Sequence, residues 1–114
     1  MQYLLQIYMP TDASVWERLS EDEQSAITGE YFAIMQVPGV IGGAQLQPPA
    51  STTTVRVQDD ATLSTDGPFV ETKEVLGGYY LYEASDLDAA IELAARIPAA
   101  RMGGAVEVRP LVEP

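Results

Sequence analysis

The 114-residue chain contains no cysteine and no histidine. Those two absences remove disulfides, thiolate nucleophiles, Cys or His metal sites, a Ser-His-Asp triad and an imidazole base. Basic residues are scarce, 6 against 17 acidic, for a formal net charge of −11. The acidity is spread along the chain without a tail or a basic patch. A field of that sign repels nucleic-acid phosphates and anionic membranes, so neither is expected as a direct partner. It serves solubility first. No apolar run approaches the length of a membrane span. The apolar start from Tyr3 to Met9 is short, contains Gln6 and lacks a basic leader, so it does not read as a signal peptide. A cytoplasmic location is expected, in keeping with zero cysteine.

What is present suffices for one domain over residues 1–114. Hydrophobic residues make up 46% of the chain, which argues against whole-chain disorder. At this length about two-thirds of the unfolded surface can be buried.

Gln2 to Met9 reads as a strand, with Tyr3, Leu5, Ile7 and Met9 on one face and Gln2, Leu4, Gln6 and Tyr8 on the other. Pro10 ends it. Asp12 to Leu19 fits a short helix. Ser20 and Glu23 have the spacing of a capping box, opening a helix to Gln36 with Ile27, Tyr31, Ile34 and Met35 on its apolar side. Pro38-Gly39 closes it. Val40 to Gln47 is a second strand, with Ala44 and Leu46 on one face and Gly43, Gln45 and Gln47 on the other. Thr52 to Val57 and Thr62 to Thr65 flank a turn at Gln58-Asp59-Asp60-Ala61 and read as a hairpin. Residues 70–76 read as a loop. Gly78 to Ala84 is a strand. Ser85-Asp86-Leu87-Asp88 opens another helix, with Leu87, Ala90, Ile91 and Ala94 as its buried stripe. Ala105 to Val112 is the last strand.

That order predicts an α+β, ferredoxin-like βαββαβ fold with a β-hairpin insertion and an antiparallel sheet. Right-handed crossovers place both helices on one sheet face, over Leu5, Ile7, Val106 and Val108. The other face should carry Gln6, Tyr8, Gln45, Gln47, Glu107, Arg109 and one alternation of Tyr79-Tyr80-Leu81-Tyr82. It is too polar for a dry core and too aromatic for a plain solvent face. Such a surface fits packing against a second copy, so a homodimer is expected.

The densest cluster of chemistry is Asp66-Gly67-Pro68-Phe69 followed by Glu71-Thr72-Lys73-Glu74 and Gly77-Gly78-Tyr79-Tyr80. Asp66 is the candidate general acid or base, weighed against a role in capping its own turn. Arg56 and Arg109 can clamp an anion in fork geometry. Glu71, Lys73, the only lysine, and Tyr80 complete the candidate ligand-binding set. The same charged groups can instead form surface ion pairs, Glu107 with Arg109 among them. Asp59-Asp60 lacks a calcium-loop pattern, and no glycine-rich phosphate loop is present. No metal and no cofactor is expected.

These blocks resemble the YCII-related family, in particular its DGPF branch. Pro48-Pro49 with Thr52-Thr53-Thr54-Val55-Arg56, and Val106-Glu107-Val108-Arg109-Pro110, extend the likeness over nearly the whole chain. So do Tyr3-Leu4-Leu5, Trp16 and Leu19-Ser20. The resemblance implies a dimeric α+β barrel of bacterial, cytoplasmic origin, encoded near extracytoplasmic-function sigma factors. Relatives outside the branch carry a His-Asp pair proposed as catalytic. This chain has no histidine, so any catalysis rests on carboxylate, tyrosine, lysine or arginine. Two functions follow. One is a small-molecule site in the cleft of a homodimer, with acid/base chemistry. The other is a non-catalytic regulatory or protein-interaction module linked to sigma-factor transcription.

Overall fold

The computed structural model describes residues 1–69 and 73–113. Strand β1 spans Gln2–Pro10, helix α1 Ser14–Glu17 and helix α2 Glu21–Met35. Strand β2 spans Val40–Gln45, β3 Thr53–Gln58, β4 Ala61–Asp66 and β5 Glu74–Glu83. Helix α3 covers Leu87–Ala95 and β6 covers Ala105–Pro110. Short 3-10 turns lie at Pro49–Ser51 and Pro98–Arg101.

Four strands form an antiparallel sheet in the order β2-β5-β1-β6, while β3 and β4 pair only with each other. This is the ferredoxin-like βαββαβ arrangement with a hairpin inserted between β2 and β5. No helix among the described residues is long and apolar enough to cross a membrane.

Local chemistry explains the helix starts. The Glu23 N–H donates to Ser20 Oγ and the Ser20 N–H donates to Glu23 Oε1, each at 3.1 Å. This capping box satisfies two orphan donors of α2. Helix α3 starts on Asp86, whose Oδ1 accepts the Ala89 N–H at 2.8 Å. Asp59 and Asp60 both have positive φ, 50° and 64°. Left-handed geometry at both central residues makes the tight two-residue turn that joins β3 to β4.

The core lies on one side of the sheet. Tyr3, Leu5 and Ile7 of β1 and Tyr80 of β5 meet Ile34 of α2, Ala90 and Leu93 of α3, and Ile97 and Ala99 beyond it. Val106 and Val108 of β6 pack at its edge. Both helices therefore cover the same face.

Five expectations need correction. Strand β5 begins at Glu74, so the last residues read as loop are paired, Glu74 with Pro10 and Val75 with Met9. Residues 70–72 lie outside the described part. In α3 the buried residues are Ala90, Leu93 and Ala94, whereas Leu87 and Ile91 are exposed. The turn at Pro98–Arg101 packs Pro98 and Ala99 inward beside Leu93 and rotates the stripe. Helix α1 is a single turn, shorter than 12–19. On α2 only Ile34 is fully buried, and Met35 is partly exposed.

The fifth correction concerns β2. Its register against β5 shifts between Val40 and Gly42, pairing Val40 with Tyr82 and Gly42 with Leu81. One extra residue in a strand flips every later side chain to the other face. Gly43 and Gln45 therefore share the helix side with Tyr80, and Gly42 and Ala44 share the open side with Leu81 and Tyr79. Gln45 does not belong to the open face. Gly43 sits where no side chain fits, since a Cβ there would lie 2.8 Å from the Tyr80 ring and 3.3 Å from Met35 Sδ.

Candidate functional site

The open sheet face is built by alternation. Leu4, Gln6 and Tyr8 of β1 point away from the helices. Opposite them across β5 stand Leu81, Tyr79 and Leu76, and across β6 stand Arg109, Glu107 and Ala105. Leu4, Gln6, Tyr8, Tyr79 and Leu81 are half-buried, and Glu107 and Arg109 are exposed. Among the described residues, no hydrogen bond or ion pair engages the side chains of Gln6, Tyr8, Tyr79, Glu107 or Arg109. Glu107 and Arg109 do not pair with each other. The face is thus a ladder of aliphatic, amide, phenol and charged groups whose side-chain polar atoms are unengaged among the described residues.

Tyr80 stands apart from this ladder. It is buried on the helix side, and its hydroxyl donates to the Tyr31 carbonyl at 2.8 Å. Burial pushes its phenol from the ordinary 10 up to about 12, and the neighbouring Tyr31 adds to the effect. Burial also raises Tyr31, against a lowering hydrogen bond from Ala99. Tyr80 therefore stays neutral and bonds α2 to the sheet. It does not line the open face.

The remaining candidates scatter within one chain. Asp66 ends β4, exposed and opposite Thr53. It forms no hydrogen bond in its turn among the described residues. Gly67, at φ +98°, closes that turn instead. The Gly67 N–H donates to Thr52 O at 2.7 Å, and Thr54 Oγ1 donates to Gly67 O at 2.8 Å. Arg56 lies on the hairpin with its guanidinium 4.3 Å from the centre of the Phe69 ring, a cation–π contact. Lys73 is exposed, and its carbonyl accepts from both the N–H and Oγ1 of Thr11. Glu71 lies outside the described residues. Arg109 faces Leu4 near one end of β1, whereas Lys73 precedes Glu74, which faces Pro10 at the other end. Six residues of strand separate those ends by about 20 Å. One chain does not bring these groups together.

Two hollows escaped the sequence reading. One, of about 430 Å³, is lined by Trp16, Glu21, Gln24, Ser25 and Thr28. The i, i+3, i+4, i+7 spacing of its last four residues on α2 was the available signal. The other, about 280 Å³, is lined by Glu30, Ala33, Ile34, Arg96 and Arg101. Neither contains Arg56, Asp66, Lys73 or Arg109. No cluster of three acidic side chains suited to a metal ion occurs among the described residues.

Three comparisons place the chain among known proteins. It matches the YCII-related domain over residues 1–113. It is 35% identical over 105 residues to the uncharacterized protein R00369 of Rhizobium meliloti (strain 1021), covering 88% of this chain and 85% of that protein. Its fold is similar to that of 5-chloro-2-hydroxyhydroquinone dehydrochlorinase (TftG) from Burkholderia phenoliruptrix AC1100, solved in complex with 2,5-dihydroxybenzoquinone. The TM-score is 0.52 at 16% identity, over 100% of this chain and 96% of that one. The dehydrochlorinase supports the fold, and the match from end to end supports the lineage: the chain belongs to the YCII-related family.

Proposed function

We propose that this protein acts as a homodimer in the bacterial cytoplasm and binds a small molecule in a cleft between two open sheet faces. The observation that carries the reading is the set Gln6, Tyr8, Tyr79, Glu107 and Arg109. These five groups sit among Leu4 and Leu81 with no side-chain hydrogen bond or ion pair among the described residues. Covered by a second sheet, such groups cost stability unless something bonds them, and a ligand or ordered water meets that need. Arg109 offers a fork for a carboxylate or another anion. Tyr8 and Tyr79 offer faces for stacking and hydroxyls for hydrogen bonding. Acid/base chemistry then falls to a carboxylate, with Asp66 the candidate. Asp66, Arg56 and Lys73 lie off the face in their own chain, so only a second copy could bring them to it. The quinone complex of the dehydrochlorinase supports a small-molecule site on this fold.

The test is a small-metabolite screen by ligand-observed NMR on the wild type, Asp66→Asn and Arg109→Ala. The reading expects hits whose affinity falls at least tenfold in both variants. Hits bound equally well by all three proteins contradict the site.

The scatter of Asp66, Arg56 and Lys73 favours a second reading, a non-catalytic regulatory module acting on a sigma-factor component. It expects a one-to-one complex between the purified chain and an extracytoplasmic-function sigma factor. No complex at micromolar concentrations removes it.

A further inference from the structure

The β3–β4 ribbon has no sheet to belong to. Its strands pair only with each other, and every residue in it except Thr54 is exposed. An isolated two-stranded ribbon is marginal in water. This one also carries apolar groups on both faces. Val55 and Val57, opposite Ser64 and Thr62, are 60% and 68% exposed. On the other face Leu63, opposite Arg56, is 45% exposed, and Phe69, under the Arg56 guanidinium, is 67% exposed. The root is tied down by the Gly67, Thr52 and Thr54 hydrogen bonds and by those from Thr11 to Lys73.

The outreach shows in the dimensions. The radius of gyration is 16.2 Å, where a compact chain of this length has about 13 Å. The chain exposes 7945 Å², against about 6,100 Å² for a folded monomer of its mass. Over two chains the surplus is roughly 3,700 Å², within the range that permanent homodimers bury. The ribbon springs from β2 and β5, two strands of the open face already read as an interface.

We propose that the β3–β4 ribbon is a clasp: in the homodimer each ribbon lies on the second copy and buries Val55 and Val57 against it. A second copy is the occupant because the surplus surface matches a homodimer and because a closed two-fold pair covers both ribbons at once. The proposal rests on the homodimer reading and adds where a second part of the contact lies.

Sedimentation equilibrium over a dilution series tests it on the wild type, Val55→Lys/Val57→Lys and Val55→Thr/Val57→Thr. Both positions are exposed in one chain, so a free ribbon tolerates either change. The clasp predicts that the lysine pair raises the dimer dissociation constant at least tenfold. The threonine pair, which keeps β-branching and strand preference, raises it about threefold by lost apolar contact alone. If the lysine pair unravels the ribbon, as far-ultraviolet circular dichroism would show, the threonine pair decides. A wild-type dimer whose variants dissociate no more readily overturns the clasp and leaves the homodimer standing. A wild type that stays monomeric at every concentration overturns both.

Discussion

Neighbouring residues of β1 live in different surroundings. Tyr3, Leu5 and Ile7 are buried beneath the two helices, while Leu4, Gln6 and Tyr8, one residue away, are half-covered on the far side. The helix side is finished within one chain: its apolar groups are packed and its two deep phenols, Tyr3 and Tyr80, are each hydrogen-bonded, to Met1 Sδ and to the Tyr31 carbonyl. The open side is not finished. It mixes Leu4 and Leu81 with five polar groups that no hydrogen bond or ion pair engages among the described residues. Packing closes on one face and stays open on the other, and the open face is the one the proposed second copy would cover.

Substitutions on the two sides should separate cleanly. The largest effect belongs to Leu5→Ala, which empties a fully buried position. It should cost about 2–5 kcal/mol in a urea melt. Leu4→Ala, on the open side, should cost less than about 1 kcal/mol in the monomer and show its effect in dimer affinity instead. Equal monomer costs would erase the distinction between the faces.

Two adjacent glycines make the same comparison in the backbone. A Cβ on Gly43 would lie 2.7 Å from Tyr79 O and 2.8 Å from the Tyr80 ring, while one on Gly42 would meet only Leu81 Cδ1 at 3.9 Å. Gly43→Ala should cost about 1–3 kcal/mol by overpacking. Gly42→Ala should be neutral or stabilising by up to about 1 kcal/mol, because glycine weakens a strand interior. Thermal melts of the two variants side by side check this, and a reversal would place the β2 bulge wrongly.

Tyr80→Phe comes next. It leaves the Tyr31 carbonyl without its donor and should cost about 1 kcal/mol at neutral pH. It should also change the alkaline limb. Folded Tyr80 keeps its proton up to about 12, whereas the unfolded phenol ionises from 10. The stability this group contributes is whole below pH 10 and is lost as pH rises toward 12. Removing it should flatten the decline over that window, with Tyr31 left to supply the remainder.

The smallest effect lies at the α2 capping box. Ser20→Ala should cost at most about 1 kcal/mol. The hydrogen bonds with Ser20 hold the Glu23 carboxyl below its usual 4.5. A depressed carboxyl stabilises the fold above the unfolded value, and that contribution is lost as pH falls through the folded one. The variant keeps the Ser20 N–H, the larger cause of that lowering, and loses only the side-chain part, so its acid limb should be only slightly shallower than the wild type's.

Most of the body was legible in the sequence because its signals are local. The alternation of Tyr3, Leu5 and Ile7, the Ser20–Glu23 spacing and the Asp59-Asp60 turn each act over a few residues. What escaped depends on contacts distant in sequence. The bulge before Gly42 reverses the parity of β2 and moves Gln45 to the helix side, and only Tyr80 and Met35 over Gly43 explain it. The α3 stripe turns toward Leu93 because Pro98 and Ala99 pack next to it. Residue types and strand parity placed Arg109 on the open face, where the register puts it beside Leu4. They failed at Tyr80, because three tyrosines within four residues must divide between two faces. The scatter of Asp66, Arg56 and Lys73 was invisible, because no sequence signal showed that the hairpin would stand clear of the sheet.

The central claim is that the open face is covered by a second copy. Its most direct test is the molar mass of the chain by sedimentation equilibrium at micromolar concentration, for the wild type beside Leu81→Arg. The account predicts about twice 12.3 kDa for the wild type and 12.3 kDa for the variant, which places a charge in the middle of the contact. A wild type that sediments at 12.3 kDa, or a variant that dimerises as well as the wild type, would contradict it.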